Sequence, residues 1–414
     1  MLRGAEKHLQ VLQGLSGSSR TAFIHACLCE LKGPHLLILQ DKEEAAYVYT
    51  DLVTLDQTAD RTLFFPSSYK RSIQYQQADE ANIITRTQTL RRLSDRRAAS
   101  FIVTYAEALV ETVVTRKQLN KTTLELRQGE RIDPSFLEEV MGTYGFQLVD
   151  FVHEPGQYAV RGGIVDIFSY ASSHPCRVDF FDDEVDSIRI FDTGSQRSLE
   201  KVKKVQIIPN IQWETERGEK RINFLDYIPG GSTLWIDHPE LIVSDIQSLY
   251  EKTELPLDKS AFLVTGKQVR ETMDRFPRVV FGMPDRSENQ QAWSFHTTPQ
   301  PAFRKNFDLL TSHLKDRHLE GYTSYILSEN EKQLERLQAI FQEIDPDTPY
   351  RSLPWTLHEG FQDEDLKVTY YTDHQIFERY HKFRLHDRFS KKESVSVKEL
   401  LGLHPGDYVV HVDH

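Results

Sequence analysis

The stretch that most constrains this chain runs from Gln157 to Ile208, where apolar and polar residues alternate between clusters of turn-forming residues. It reads as four short strands joined by tight turns. Within it, Cys176, Val178 and Phe180 fall on one side of a pleat, and Arg177, Asp179 and Phe181 on the other. The first set is apolar and is expected to face a core. The second carries charge and is expected to face water, yet it includes Phe181. Two readings of that ring stand side by side. It is an aromatic anchor beside an arginine, made for a protein partner, or it is covered by a helix of its own domain. Gly162 and Gly163 follow Arg161 and suggest a bulge that re-aims this arginine.

With 414 residues and 39% hydrophobic content, the chain can build about three or four ordinary cores. A net charge of −12 argues against a surface made to coat DNA, which would be basic. The three cysteines, Cys27, Cys29 and Cys176, show no metal-type spacing beyond one Cys-x-Cys in an apolar helix. They read as reduced thiols of a cytoplasmic protein. The 16 histidines fall into no zinc pattern. The first ten residues are charged rather than signal-like, and no apolar run approaches membrane length.

From Met1 to about Asn120, helical and strand-like segments alternate, which predicts a parallel sheet with helices on both faces. HLLILQ and ASFIVTY read as buried strands, and the patterns over 21–31, 42–55, 78–93 and 107–114 as helices. In such a fold a nucleotide sits at the loop before the first helix, here GLSGSSRT over 14–21. A phosphate loop reads G-x-x-x-x-G-K-[ST]. Gly14 and Thr21 are in register, but Ser19 stands where the second glycine belongs and Arg20 where the lysine belongs. A Cβ resists the dihedrals that turn backbone N–H groups onto phosphates. Arginine is a wide planar fork where lysine is a slim point charge. A second half-motif, GSTLWIDHPE over 231–240, ends a strand in Asp237, where an acidic pair would hold magnesium and polarise water. His238 replaces the second carboxylate. Both halves of a nucleotide site are degenerate. In SSYKRSIQYQQ, Tyr69, Lys70, Arg71 and Tyr75 belong to a solvated loop or to a nucleic-acid contact.

Three phrases, YAVRGGIVDIF, PCRVDFFDDEVDSIRIFD and QRSLEKVKKVQIIP, resemble the UvrA-binding domain shared by the excision-repair protein UvrB and the transcription-repair coupling factors. DFFDDEVDSIR followed by FD and QRS is nearer the coupling-factor version. The resemblance implies that UvrA is held by two arginines and a phenylalanine, which here match Arg161, Arg177 and Phe181. It implies a helicase-like α/β domain with a parallel sheet and a degenerate nucleotide site. An α+β UvrA-binding domain is inserted into it, and a further small α/β domain follows. The expected limits are 1–120 and 211–298 for the two parts of the helicase-like module, 121–210 for the UvrA-binding domain and 299–383 for the small domain.

Residues 384–414 read as a charged linker and then an alternating strand, LHPGDYVVHVDH, which in the resemblance opens an RNA-polymerase-binding domain. On this reading the chain is part of a longer ATP-dependent DNA translocase. Its expected partners are UvrA, RNA polymerase and DNA. ATP and magnesium are expected only in motor domains beyond the chain, and no cofactor within it. The resemblance further implies that a domain of the parent covers the UvrA-binding face, so this chain is expected to bind UvrA more readily than its parent. The alternative reading is a UvrB-like ATP-binding helicase that recognises damaged DNA.

Overall fold

The computed structural model describes residues 9–31, 33–56, 61–69, 78–94, 101–212, 220–254, 259–282 and 290–379. Lys70, Arg71 and Tyr75, together with the linker and final strand expected over 384–414, lie outside the described residues.

Runs such as HLLIL, FIVTY and TLWID are apolar on both pleats, so they need cover on both faces, which a parallel sheet flanked by helices provides. They form the middle of a seven-stranded sheet in the order Gln290–Ser294, Leu9–Gln13, Arg278–Phe281, Thr233–Asp237, His35–Leu39, Phe101–Tyr105, Thr62–Phe65. Every pairing in it is parallel. Leu36, Leu37, Ile38 and Trp235 are fully buried. The Trp235 indole donates to His35 Nδ1 at 3.2 Å, and burial pulls the His35 pKa down to about 4. Strand Leu9–Gln13 went unread in the sequence because its alternation is short and it carries glutamines. One of these, Gln10, is buried and accepts a hydrogen bond from the Trp293 indole at 2.8 Å.

The chain leaves this sheet after Phe101–Tyr105 and re-enters it at Thr233–Asp237. The expected helix over 107–114 is instead a short helix, Ala106–Leu109, and a strand, Val113–Val114, paired with Arg221–Ile222 on the return path. Between them stands a second sheet of six strands, ordered Ser198–Val202, Glu184–Phe191, Cys176–Phe181, Ile164–Ile167, Gln157–Arg161, Gln147–Leu148. All its pairings are antiparallel except the last. The region from Gln157 to Ile208 thus holds six strands where its pattern suggested four, because Ser198–Val202 and Lys204–Ile207 are short and charged. Lys204–Ile207 pairs with Leu124–Arg127. Helix Pro134–Thr143 begins at Asp133, whose carboxylate accepts from the Ser135 N–H. Its Leu137 and Met141 pack under the sheet with Val165, Val178 and Ile188.

A third, five-stranded sheet follows, ordered Thr297–Pro299, Phe361–Asp363, Val368–Thr372, Thr323–Leu327, Arg351–Leu353. Leu310 and Leu314 of helix Phe307–Leu319 and Leu337 and Phe341 of helix Glu331–Ile344 build its core with Ile326 and Tyr371. Residues 355–361, whose apolar pattern suggests a strand, do not form one before Phe361. The strands there are Arg351–Leu353 and Phe361–Asp363, and the loop between them contacts Ser18, before the first long helix, and Asp51 of helix Lys42–Asp56.

Candidate partner-binding surface and a closed nucleotide cleft

In Cys176–Phe181, the side chains of Cys176, Val178 and Phe180 face the core beneath the second sheet. Arg177, Asp179 and Phe181 take the opposite face. Burial pushes the Cys176 thiol up to about 12. Cross-strand register sets Arg177 opposite Asp166 on one side and Arg189 on the other. Asp166 is fully buried, and its carboxylate gathers both arginines. Arg177 donates from Nε to Oδ1 at 2.7 Å and from Nη2 to Oδ2 at 2.8 Å. Arg161 reaches Oδ2 from the next strand. The hydrogen bonds it donates to Asp166 raise the Arg177 pKa above its ordinary value. Arg161 also donates to the Asp150 carbonyl at 2.7 Å, and Arg177 to Gln196 Oε1 at 3.3 Å. Each guanidinium lies against an aromatic ring, Arg161 on Phe151 at 5.0 Å and Arg177 on Phe191 at 4.6 Å.

Phe181 is 80% exposed, so no helix of its own domain covers it. The register shift beside it falls on the facing strand, where the pairing skips Asp186, so the alternation of Cys176–Phe181 is preserved. Arg177 and Phe181 therefore share a face, about 13 Å apart along the strand. The structure thus joins Arg161 and Arg177 at one carboxylate and sets Phe181 farther along the same surface.

The bulge expected at Gly162 and Gly163 is absent. Arg161 pairs directly with Ile164, and the two glycines form a tight hairpin turn, with Gly162 at φ +59°. A Cβ on Gly163 would come within 3.0 Å of the Phe180 carbonyl oxygen, which accounts for the second glycine. Arg161 is aimed by Asp150 and Asp166 rather than by backbone irregularity.

The residues of the degenerate nucleotide motifs do come together, and they bond to one another and to the third sheet. Gly14 (φ +77°) packs so closely on Phe295 that a Cβ would sit 2.0 Å from its carbonyl oxygen. Ser19 is buried and donates to the Ser16 carbonyl at 2.6 Å. Arg20 reaches Glu44 and, at 3.3 Å, Asp237. Thr21 is buried. His238 has left-handed backbone, φ +45°, and its Nε2 lies 3.6 Å from Asp237. Glu240 pairs with Arg270, which holds its carboxyl below the usual range and away from this site.

The N–H of Ser18, placed to meet a phosphate at the start of helix Ser19–Glu30, donates instead to the Glu359 carbonyl at 3.3 Å. The Ser18 hydroxyl accepts from the Glu359 N–H at 2.9 Å and donates to Asp51 at 2.6 Å. Asp51 also accepts from the His358 N–H at 2.8 Å. The remaining cleft is about 380 Å³, and Asp41, Glu43, Glu44, Asp51 and Glu359 line it against Arg20. Carboxyl groups thus outnumber the single arginine on its walls. Tyr69, singled out as a possible nucleic-acid contact, is buried, and desolvation raises its hydroxyl pKa.

Sequence reasoning missed Asp166, although its place in IVDIF puts it on the Arg177 side of the sheet. It also missed Glu359, whose role depends on a contact between residues far apart in the chain.

The outer face of the antiparallel sheet thus carries two arginines clamped on one buried carboxylate and, about 13 Å along the same strand from Arg177, one exposed aromatic ring. Residues 124–213 match the family model described as the UvrB interaction domain. Along 98% of its length the chain is similar to the transcription-repair-coupling factor of Bacillus subtilis, at 24% identity, and it covers 41% of that protein. The coupling factor of Escherichia coli is 29% identical over 50% of this chain and 18% of its own length. UvrABC system protein B of Thermotoga neapolitana is 26% identical over 51% of this chain and 33% of its own length. Residues 124–213 thus match a UvrB interaction domain within a longer stretch similar to transcription-repair-coupling factors, and the chain spans about two fifths of the B. subtilis relative. No helix among the described residues is long and apolar enough to cross a membrane.

Proposed function

We propose that this chain is the UvrA-recruiting part of a transcription-repair coupling factor, acting in transcription-coupled nucleotide excision repair. Arg161, Arg177 and Phe181 form its docking surface for UvrA. The observation that carries this reading is Phe181, 80% exposed on the face that presents both arginines. RNA polymerase and DNA are partners of the longer parent protein, through parts other than the described residues. The helicase-like arrangement of the parallel sheet, with the UvrB interaction domain set into it, is an ancestral frame whose nucleotide chemistry is lost here. The acidic cleft and the seating of Glu359 on Ser18 support that loss, so ATP and magnesium act in the parent's motor domains.

Titration of UvrA onto the chain tests the reading. Arg177→Ala and Phe181→Ala are each expected to cost about 1–4 kcal/mol of binding. Unchanged affinity in both would refute the surface. Calorimetry with ATP and magnesium is expected to show no binding. Micromolar binding abolished by Arg20→Ala would establish the ATP-binding helicase reading in its place.

A further inference from the structure

We infer that Asp166 is a positioning residue that fixes Arg161 and Arg177 as one preorganised pair of guanidinium groups for the partner. The inference rests on the UvrA-docking reading and specifies how that surface works.

The geometry carries it. Asp166 has no exposure to water and touches no partner itself. Its two oxygens take three N–H groups from two arginines on neighbouring strands. Register places Arg177 directly opposite it, and Arg161 two residues away opposite Ile164, so all three side chains rise from the same face. A guanidinium offers five N–H donors in a rigid fork. Arg177 commits its Nε and Nη2 to Asp166, with Gln196 also at Nη2. Arg161 commits one N–H to Asp166 and one to the Asp150 carbonyl. The other edges of both forks remain for acceptors on a partner.

The charges point the same way. Two cations share one buried anion, and the neighbouring Arg189 is matched by Asp179 at 2.7 Å. The cluster keeps one net positive charge on a chain whose formal charge is −12. It is suited to an acidic or carbonyl-rich patch. Arginine is rich in rotamers, and ordering each such side chain on binding costs about 0.5–1.5 kcal/mol. Asp166 meets that cost during folding, before the partner arrives.

The test is the affinity of the full chain for UvrA in a mutant cycle. Asp166→Asn keeps the shape and removes the charge that clamps the arginines. It is expected to weaken binding about tenfold, the ordering of two long side chains. In an Arg161→Ala/Arg177→Ala background, Asp166→Asn is expected to change UvrA affinity no further, while raising thermal stability by removing an orphaned buried charge. A purely structural aspartate would instead give wild-type affinity in Asp166→Asn while Arg177→Ala and Phe181→Ala lose theirs. That result overturns the positioning role and leaves the docking surface standing. Full affinity in both Arg177→Ala and Phe181→Ala overturns the docking reading and this inference with it. A measurement on the unaltered chain holds even where Asp166→Asn does not fold. The Arg177 Nε–H order parameter in the free protein is expected near the rigid-backbone value of about 0.85. A value below about 0.6 refutes preorganisation.

Discussion

Asp51 joins the loop before the first long helix to the third sheet, and its ionisation is expected to set the pH dependence of that junction. It is 2% exposed, and burial pushes its carboxyl up to about 7 from an ordinary 3.8, against the hydrogen bonds from the Ser18 hydroxyl and the His358 N–H. The groups around it are mostly of its own sign: Glu359, Glu44, Glu43 and Asp41, with Arg20 and His358 as the others. A folded-state pKa above the unfolded value means that the folded chain holds the proton more tightly. The stabilisation is complete below the unfolded pKa, and is lost as pH climbs toward 7. Each pH unit in that window costs about 1.4 kcal/mol, so wild type loses about 2 kcal/mol between about pH 5.5 and pH 7 from this group. Asp51→Asn keeps the acceptor for His358 and cannot ionise. It forgoes one hydrogen bond from Ser18, about 1 kcal/mol at any pH. Urea unfolding of both proteins at several pH values isolates the effect, because all other titrating groups cancel in the difference. The Asp51→Asn variant is expected to gain on wild type steadily as pH rises through the window. Parallel stability curves across that window would refute the account of Asp51 as a buried, proton-holding carboxyl.

Two further perturbations probe packing. Gly14→Ala sets a Cβ 2.0 Å from the Phe295 carbonyl at a backbone φ of +77°, and is expected to destabilise the chain by about 2 kcal/mol or more in thermal or urea unfolding. Glu111 accepts from the Ser68 N–H, the Ser68 hydroxyl and the Gln212 amide, and lies 3.5 Å from the buried Arg86. Glu111→Gln leaves that arginine uncompensated, in a site whose desolvation already lowers its pKa. A loss of about 3–5 kcal/mol is expected, and a neutral result in the same unfolding assay would show that Arg86 finds other compensation.

The shared face of Arg177 and Phe181 was legible because a pleat has a period of two. Once Cys176, Val178 and Phe180 are assigned to a core, Arg177 and Phe181 have no other side to occupy. The parallel sheet was legible from runs such as HLLIL, which no half-solvated strand would carry. What the sequence left hidden are contacts between distant residues. Leu9–Gln13 becomes a strand only through neighbours at Arg278–Phe281 and Gln290–Ser294. The turn at Gly162 and Gly163 is tight rather than bulged because Arg161 and Ile164 pair across it, which two glycines alone do not reveal. The departures of Ser19 and Arg20 from a phosphate-loop pattern were readable. That Glu359 would seat itself on Ser18 was not, because nothing local to residues 355–361 marks them as a partner for that helix start.

The threading of the parallel sheet has a consequence for how the molecule is made. Leu9–Gln13 leaves the ribosome long before either strand that flanks it, and the residues between them include the whole antiparallel sheet. The antiparallel sheet can fold while the strand that precedes it is still unpaired. The larger sheet then closes around an early strand with late neighbours, a slow, long-range step that exposes an apolar edge in the interval. The nascent chain would thus have its antiparallel sheet formed before the larger frame is complete.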